Sequence, residues 1–287
     1  MHLLDQIEKY GRTAPDRLAH VSGDRKMTFG ELLAKSNAVA AWLDSQLGDR
    51  RSPVAIHGHK EPEMFVTFLA AVKSGRPYVP IDYMTPPQRM ERVVEIAGAE
   101  VVLTPAMVAE IVAAAGAVEY KRKPLENDDP FYILFTSGST GEPKGVVITL
   151  ANLNHYLAWM HGDGNFRECG EVFLNHAPFS FVLSVHDIYL ALSSGITIFS
   201  LTKDHITNLR ALFIALRECG ATQWMSSPSF AQMCMIEKSF TATMMPQVRA
   251  FCFCGETLAP ETASQLLERF PGVRSGTPTA RPRRLSR

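Results

Sequence analysis

Between Phe131 and Gly145 the chain reads FYILFTSGSTGEPKG, and the second half of that stretch has the residue types that hold a polyphosphate. Gly138, Gly141 and Gly145 let the backbone come close to a ligand and turn N–H groups inward, the geometry of an anion-binding nest. Thr136, Ser137, Ser139 and Thr140 add short hydroxyl donors for phosphate oxygens. Lys144 adds a point charge. The stretch is not a Walker A loop, in which Ser or Thr directly follows the lysine; here Gly145 does. A surface loop with a chance lysine is the bland alternative. It is weakened by the buried-type strand, Phe131 to Phe135, that feeds straight into the glycines.

The elements that must position this loop alternate between helix and strand patterns. TFGELLAKSNAVAAWLDSQLG opens with Thr28 and Glu31 at capping-box spacing, and Leu32, Leu33, Ser36, Val39, Ala40 and Leu43 follow one helical face. SPVAIHGH reads as a strand, and EPEMFVTFLAAVKSG as a helix with Pro62 near its start and Gly75 at its end. RPYVPID, PPQRMERVVEIAGA and EVVLTP continue as strand, helix, strand. KRKPLENDDP is the clearest polar linker. EVFLNHAPFSF, HDIYLALSSG, ITIFSL, NLRALFIALRECG, ATQWMSS and VRAFCFCGE repeat the rhythm. The expected class is α/β, with largely parallel sheets flanked by helices.

Composition narrows the function. The 287 residues carry 29 Lys plus Arg against 29 Asp plus Glu, so no global field favours a nucleic acid. No apolar run approaches the roughly 18 residues of a membrane span, and MHLLDQIEKYGRTAPDR lacks the apolar core of a signal peptide. The five cysteines (Cys169, Cys219, Cys234, Cys252, Cys254) include no CxxC pair and read as reduced thiols of a cytoplasmic protein. Cys252 and Cys254 would share one side of a strand, which is too few ligands for zinc.

TSGSTGEPKG resembles the signature loop of the adenylate-forming superfamily, and TFGEL, VKSGRPYVPID and FCGETL fall in the order that family uses. LNHAPFSFVLSVHDIYLAL, SSPSFAQMCMIEKSF and AFCFCGETL resemble the D-alanine–carrier-protein ligases within it. The resemblance covers residues 1–271. It implies the large N-terminal domain of that fold, incomplete at its C-terminal side, and an ATP-dependent, AMP-forming ligase of lipoteichoic acid biosynthesis. Such an enzyme joins a carboxylate to the α-phosphate of ATP and passes the acyl group to a phosphopantetheine thiol, so its implied partners are D-alanine and a D-alanyl carrier protein. By the same resemblance Thr136, Ser137, Gly138, Ser139, Thr140, Gly141, Lys144 and Gly145 form the loop around the phosphates, with Mg2+ as partner and no metal site built from protein ligands. His176 falls near the substrate, with a satisfied interior histidine as the equal alternative. Cys254 falls on the small acyl pocket. Trp224 and Phe230 are expected to pack the core.

One departure matters for chemistry. Amino-acid-activating members carry Phe-Asp where this chain has Phe181-Val182, and that carboxylate pairs with the substrate ammonium. Valine cannot, and an unpaired buried ammonium costs several kcal/mol. Asp187, five positions on, would lie well around a helix from residue 182 and is expected to point elsewhere. Alternatives are therefore a ligase for another acyl, aryl or amino acid, or a nucleotide-binding remnant.

The end, GVRSGTPTARPRRLSR, has five arginines, no acid and no apolar period. Synonymous codons for residues 274–287 can be chosen so that the frame starting at the third base reads VWNTYGPTEATVA, the adenine-bracketing stretch the family places here. The expectation is a single-base deletion near codon 272, with 272–287 an out-of-frame tail. The ribose-binding Asp, the small C-terminal domain and its catalytic Lys would then be missing, and the chain is expected not to complete the reaction.

Overall fold

A computed structural model describes residues 3–137, 141–162 and 170–276. Among them, in chain order, are strands β1 (Leu18–Ser22), β2 (Arg25–Thr28), β3 (Val54–Gly58), β4 (Tyr78–Asp82), β5 (Val101–Leu103), β6 (Pro130–Ser137) and β7 (Pro143–Thr149). They are followed by β8 (Val172–Asn175), β9 (Thr197–Ser200), β10 (Gln223–Ser226), β11 (Ala250–Phe253) and β12 (Arg274–Gly276). The larger sheet runs β12-β11-β10-β8-β9-β1-β2 and the smaller β5-β3-β4-β6-β7. Every pairing is parallel except β1–β2 and β6–β7. The expected α/β architecture is the observed one.

Between the sheets lie two helices that are apolar nearly all round, as a helix with no solvent-facing side must be. In Pro62–Lys73 every residue but Glu63 is buried, and in Val182–Ser194 the run Ser184–Leu192 is buried. An aromatic chain ties the layers together: Phe65 stacks toward His20 of β1, Phe68 lies 4.2 Å from Tyr78 of β4, and the Tyr189 hydroxyl donates to that of Tyr78 at 2.8 Å. The outer face of the larger sheet is covered by helices Leu209–Glu218, Pro228–Met235 and Pro260–Arg269, around Trp224, Phe251 and Phe270. Helix Pro87–Ala97 covers the smaller sheet around Val93.

The Thr28–Glu31 capping box is present in both directions, and Leu32, Ser36, Val39, Ala40 and Leu43 are buried as their spacing requires. KRKPLENDDP forms no regular element but is not loose: Arg122 pairs with Asp5 and Glu8, and Lys123 with Asp44. The first residues of the basic end extend the larger sheet. Arg274, Ser275 and Gly276 pair with Ala250, Phe251 and Cys252. Backbone pairing needs no particular side chain, so absence of an apolar period did not prevent it; residues 277–287 lie outside the described residues.

Helix Val182–Ser194 ends at Gly195, whose φ of +68° is left-handed and whose missing Cβ makes room for the Tyr10 ring, 2.5 Å from where a Cβ would stand. Gly195→Ala combines left-handed strain with overpacking, and is expected to cost about 2–5 kcal/mol. A drop in the urea midpoint is the check; an unchanged midpoint would mean that the helix end relaxes freely.

Candidate active site

In parallel sheets ligands sit where strands end, and the residues singled out in the sequence collect at such ends. Asn175 closes β8 and His176 follows it; Ser226 closes β10; Cys254 follows β11. Parallel register places them on one edge, with Trp224 level with both Leu174 and Phe251. Buried apolar side chains such as Phe173, Trp224 and Phe251 fix these strands, and their polar termini are what remains for chemistry.

The strands on either side of the glycine-rich stretch, β6 and β7, pair antiparallel. Thr136 stands opposite Lys144, and Phe135 opposite Gly145, so Lys144 belongs to a strand rather than to the loop proper. Thr136 and Lys144 are both exposed. A Cβ on Gly145 would meet the Phe135 ring at 3.0 Å, so glycine is what lets the two strands close there. Gly141 has φ +82°, free of contacts, and Glu142 is anchored to Arg92 of helix Pro87–Ala97 at 2.9 Å. The side chain of Ser137, and Gly138, Ser139 and Thr140 altogether, lie outside the described residues.

Thr136 opens onto a cleft of about 440 Å³ that also takes in Asp82, Arg89, Phe135, Phe181 and Val182. Val182, 66% exposed, begins helix Val182–Ser194 and faces this space. Asp187 points the other way, 1% exposed, as the helical angle requires. Asp82, the carboxylate of the cleft, is already engaged by His59 Nδ1 at 2.6 Å and by the Met84 N–H at 2.9 Å. The geometry thus joins Thr136 and Val182 in one cleft. His176 and Cys254 do not line it.

His176 stacks on Phe230 at 3.8 Å between ring centroids, and its Nδ1 is buried with no partner among the described residues. Burial, reinforced by Lys60, holds it neutral with its pKa down to about 4. Phe230 packs the core as expected but also makes this contact. Trp224 is fully buried, its Nε1 donating to Ser226 at 2.7 Å. Cys254 is half-buried just past the end of β11, its N–H donating to the Ser226 carbonyl at 3.2 Å. The Tyr156 hydroxyl lies 2.7 Å from His186 Nδ1, and burial first, then Asp187 and the thiols of Cys254 and Cys252, pushes its pKa well up. Cys219, Cys234 and Cys254 are free thiols, and Cys169 lies outside the described residues.

A buried polar network was not legible in the sequence. Asn175 donates to Asp187 Oδ2 at 2.8 Å and its Oδ1 accepts from Ser200 at 3.1 Å; Ser200 Oγ lies 2.9 Å from His20 Nε2. Lys60, 2% exposed, donates to Asn175 Oδ1 and to the carbonyls of His176 and Ala177, and lies 4.9 Å from the Phe179 ring centre. Burial lowers Lys60 to about 7 and raises Asp187 to about 8. The available signal was positional: Lys60 follows one strand and Asn175 ends another.

Residues 7–277 match the model of the AMP-binding enzyme family. D-alanine--D-alanyl carrier protein ligase of Bacillus thuringiensis (strain Al Hakam) is 42% identical over 94% of this chain, and that of Bacillus anthracis (strain CDC 684 / NRRL 3495) 41%. The chain spans 57% of the length of these relatives. Among solved structures, the peptide synthetase FmoA3 bound to α-methyl-L-serine-AMP superposes with a TM-score of 0.85 at 22% identity, over 96% of this chain and 32% of that one. The N-terminal subdomain of Klebsiella oxytoca NpsA with 3-hydroxyanthranilyl-AMSN gives 0.80 at 24%, over 95% and 71%. These likenesses show the fold.

Proposed function

The chain belongs to the AMP-binding enzyme family, and on that premise we propose that it holds ATP and a small carboxylate for joining at the α-phosphate. The acyl group would then pass to the thiol of a carrier protein, in the cytoplasm where ATP is available. D-alanine and the D-alanyl carrier protein are the substrates that the relatives' names supply. The observation that carries this reading is the cleft shared by Thr136 and Val182, at the foot of the β6–β7 hairpin.

The residues fit the nucleotide. Exposed Thr136 and Lys144 face each other across the hairpin, and a hydroxyl donor with an ammonium suits phosphate oxygens crowded by negative charge. The described residues hold no cluster of three or more His, Cys, Asp or Glu for a metal, so Mg2+ would come carried on the phosphates, supplying charge neutralisation there. Val182 gives nothing to an ammonium, and a second reading therefore takes the same chemistry with an acid that lacks one. Isothermal titration with ATP and Mg2+ tests the common part. Binding is expected, weakened about 10- to 100-fold by Lys144→Ala, as for loss of a charge-assisted hydrogen bond. Absence of ATP binding by the parent chain would overturn the proposal.

A further inference from the structure

The Lys60 ammonium is an odd thing to bury. It meets three oxygen acceptors, Asn175 Oδ1 and the carbonyls of His176 and Ala177, and the face of Phe179. Among the described residues no carboxylate forms an ion pair with it; Asp187 is held beside it by the Asn175 amide and, with Asp82, acts on it through space. Its acceptors all belong to one segment, Asn175–Phe179, which leaves the end of β8 and runs directly into Phe181 and Val182. Lys60 itself comes from the other sheet, between β3 and helix Pro62–Lys73. A cation from the smaller sheet thus gathers up the loop of the larger one.

We infer that Lys60 is a positioning residue for the substrate cleft: its charged ammonium, caged by Asn175, His176, Ala177 and Phe179, fixes the segment that leads into Phe181 and Val182 of the cleft. The inference rests on the proposed use of that cleft. An ammonium donates three hydrogen bonds and there are three acceptors; a neutral amine donates two. A hydrophobic side chain of similar length would fill the volume without gathering the carbonyls. Such a replacement relieves the cost of burying a charge but leaves three acceptors without their donor.

The test uses the full chain, Lys60→Met, and propionyl-sulfamoyl-adenosine as a probe of the acyl end of the cleft. Lys60→Met is expected to bind ATP unchanged, which shows that it folds, and to bind the probe at least tenfold more weakly. Backbone amide exchange over residues 175–182 should quicken at least tenfold, while the β6 and β7 peptides stay as they are. Probe affinity of the parent should fall between pH 6 and 9, and that of Lys60→Met should be flat. Charged and titratable groups facing Lys60 are Asp187 on its helix, Asp82 of β4, His20 of β1 and His176, with His59 and Glu61 beside it in sequence. Burial keeps both His20 and His176 neutral over that range, and His59 holds Asp82 charged. Asp187→Asn, retaining the profile, assigns it to Lys60. Unchanged amide exchange over 175–182 in Lys60→Met overturns the inference whether or not the probe binds. Loss of ATP binding in the parent would count instead against the nucleotide reading.

Discussion

Val182→Asp is expected to raise the affinity of the chain for D-alanyl-sulfamoyl-adenosine relative to the propionyl analogue, which differs only in lacking the ammonium. Val182 is 66% exposed at the cleft. Neither nearby acid can stand in for it: Asp82 is occupied by His59 and the Met84 N–H, and Asp187 is buried against Asn175. A carboxylate at 182 supplies a charge-assisted hydrogen bond worth about 1.5–3 kcal/mol, or roughly 10- to 150-fold in the affinity ratio. The substitution should not harm folding. Residue 182 is the first of its helix, whose N-cap Phe181 makes no side-chain hydrogen bond, and an acid there favours the helix dipole by about 0.3–1 kcal/mol. Competition titration of the two analogues reads the ratio directly. A ratio that stays within twofold, with Val182→Asp folded, would show that the ammonium does not reach residue 182.

The second large effect is acid lability. His20 and His186 are held neutral by burial, down to about 3, and His176 to about 4. Their folded values lie below the unfolded 6.5, so the unfolded chain takes up protons that the folded chain refuses. The stability they contribute is present above pH 6.5 and lost as pH falls toward 3–4. Asp187 acts oppositely: burial raises it to about 8, and its contribution, full below 3.8, is lost as pH rises through 8. Lys60, lowered to about 7 from 10.5, changes stability only between those values. Between pH 6 and 4 these three histidines oppose one aspartate, so these four groups alone take up about two protons on unfolding, roughly 3 kcal/mol per pH unit, and the lowered His161 and His205 act in the same direction. Calorimetric unfolding at pH 5.5 in buffers of different ionisation enthalpy measures the proton count. Zero net uptake would mean that the histidines are charged inside the fold.

Much of the site could be read residue by residue. The hairpin loop, its hydroxyls and Lys144 are contiguous, and local chemistry needs no tertiary information. Val182 and Asp187 were separable by helix geometry alone, about 140° apart at 3.6 residues per turn. Other features were invisible. Nothing in RSG shows that it pairs with AFC, because an edge strand is recruited by the neighbour's free backbone groups. Lys144 reads as a loop residue until β7 folds back on β6.

The sequence by itself determined the local grammar: capping box, alternating strands and helices, a run of glycines and hydroxyls ahead of Lys144, and a valine rather than an acid at 182. Those depend on neighbours within a few positions. Only the tertiary structure decided which distant residues share one environment. Lys60 meets Asn175 across 115 positions, and His20 meets Ser200 across 180. Parallel crossovers bring such strand ends together, and burial there, through desolvation, sets the charge of Lys60, Asp187 and His176.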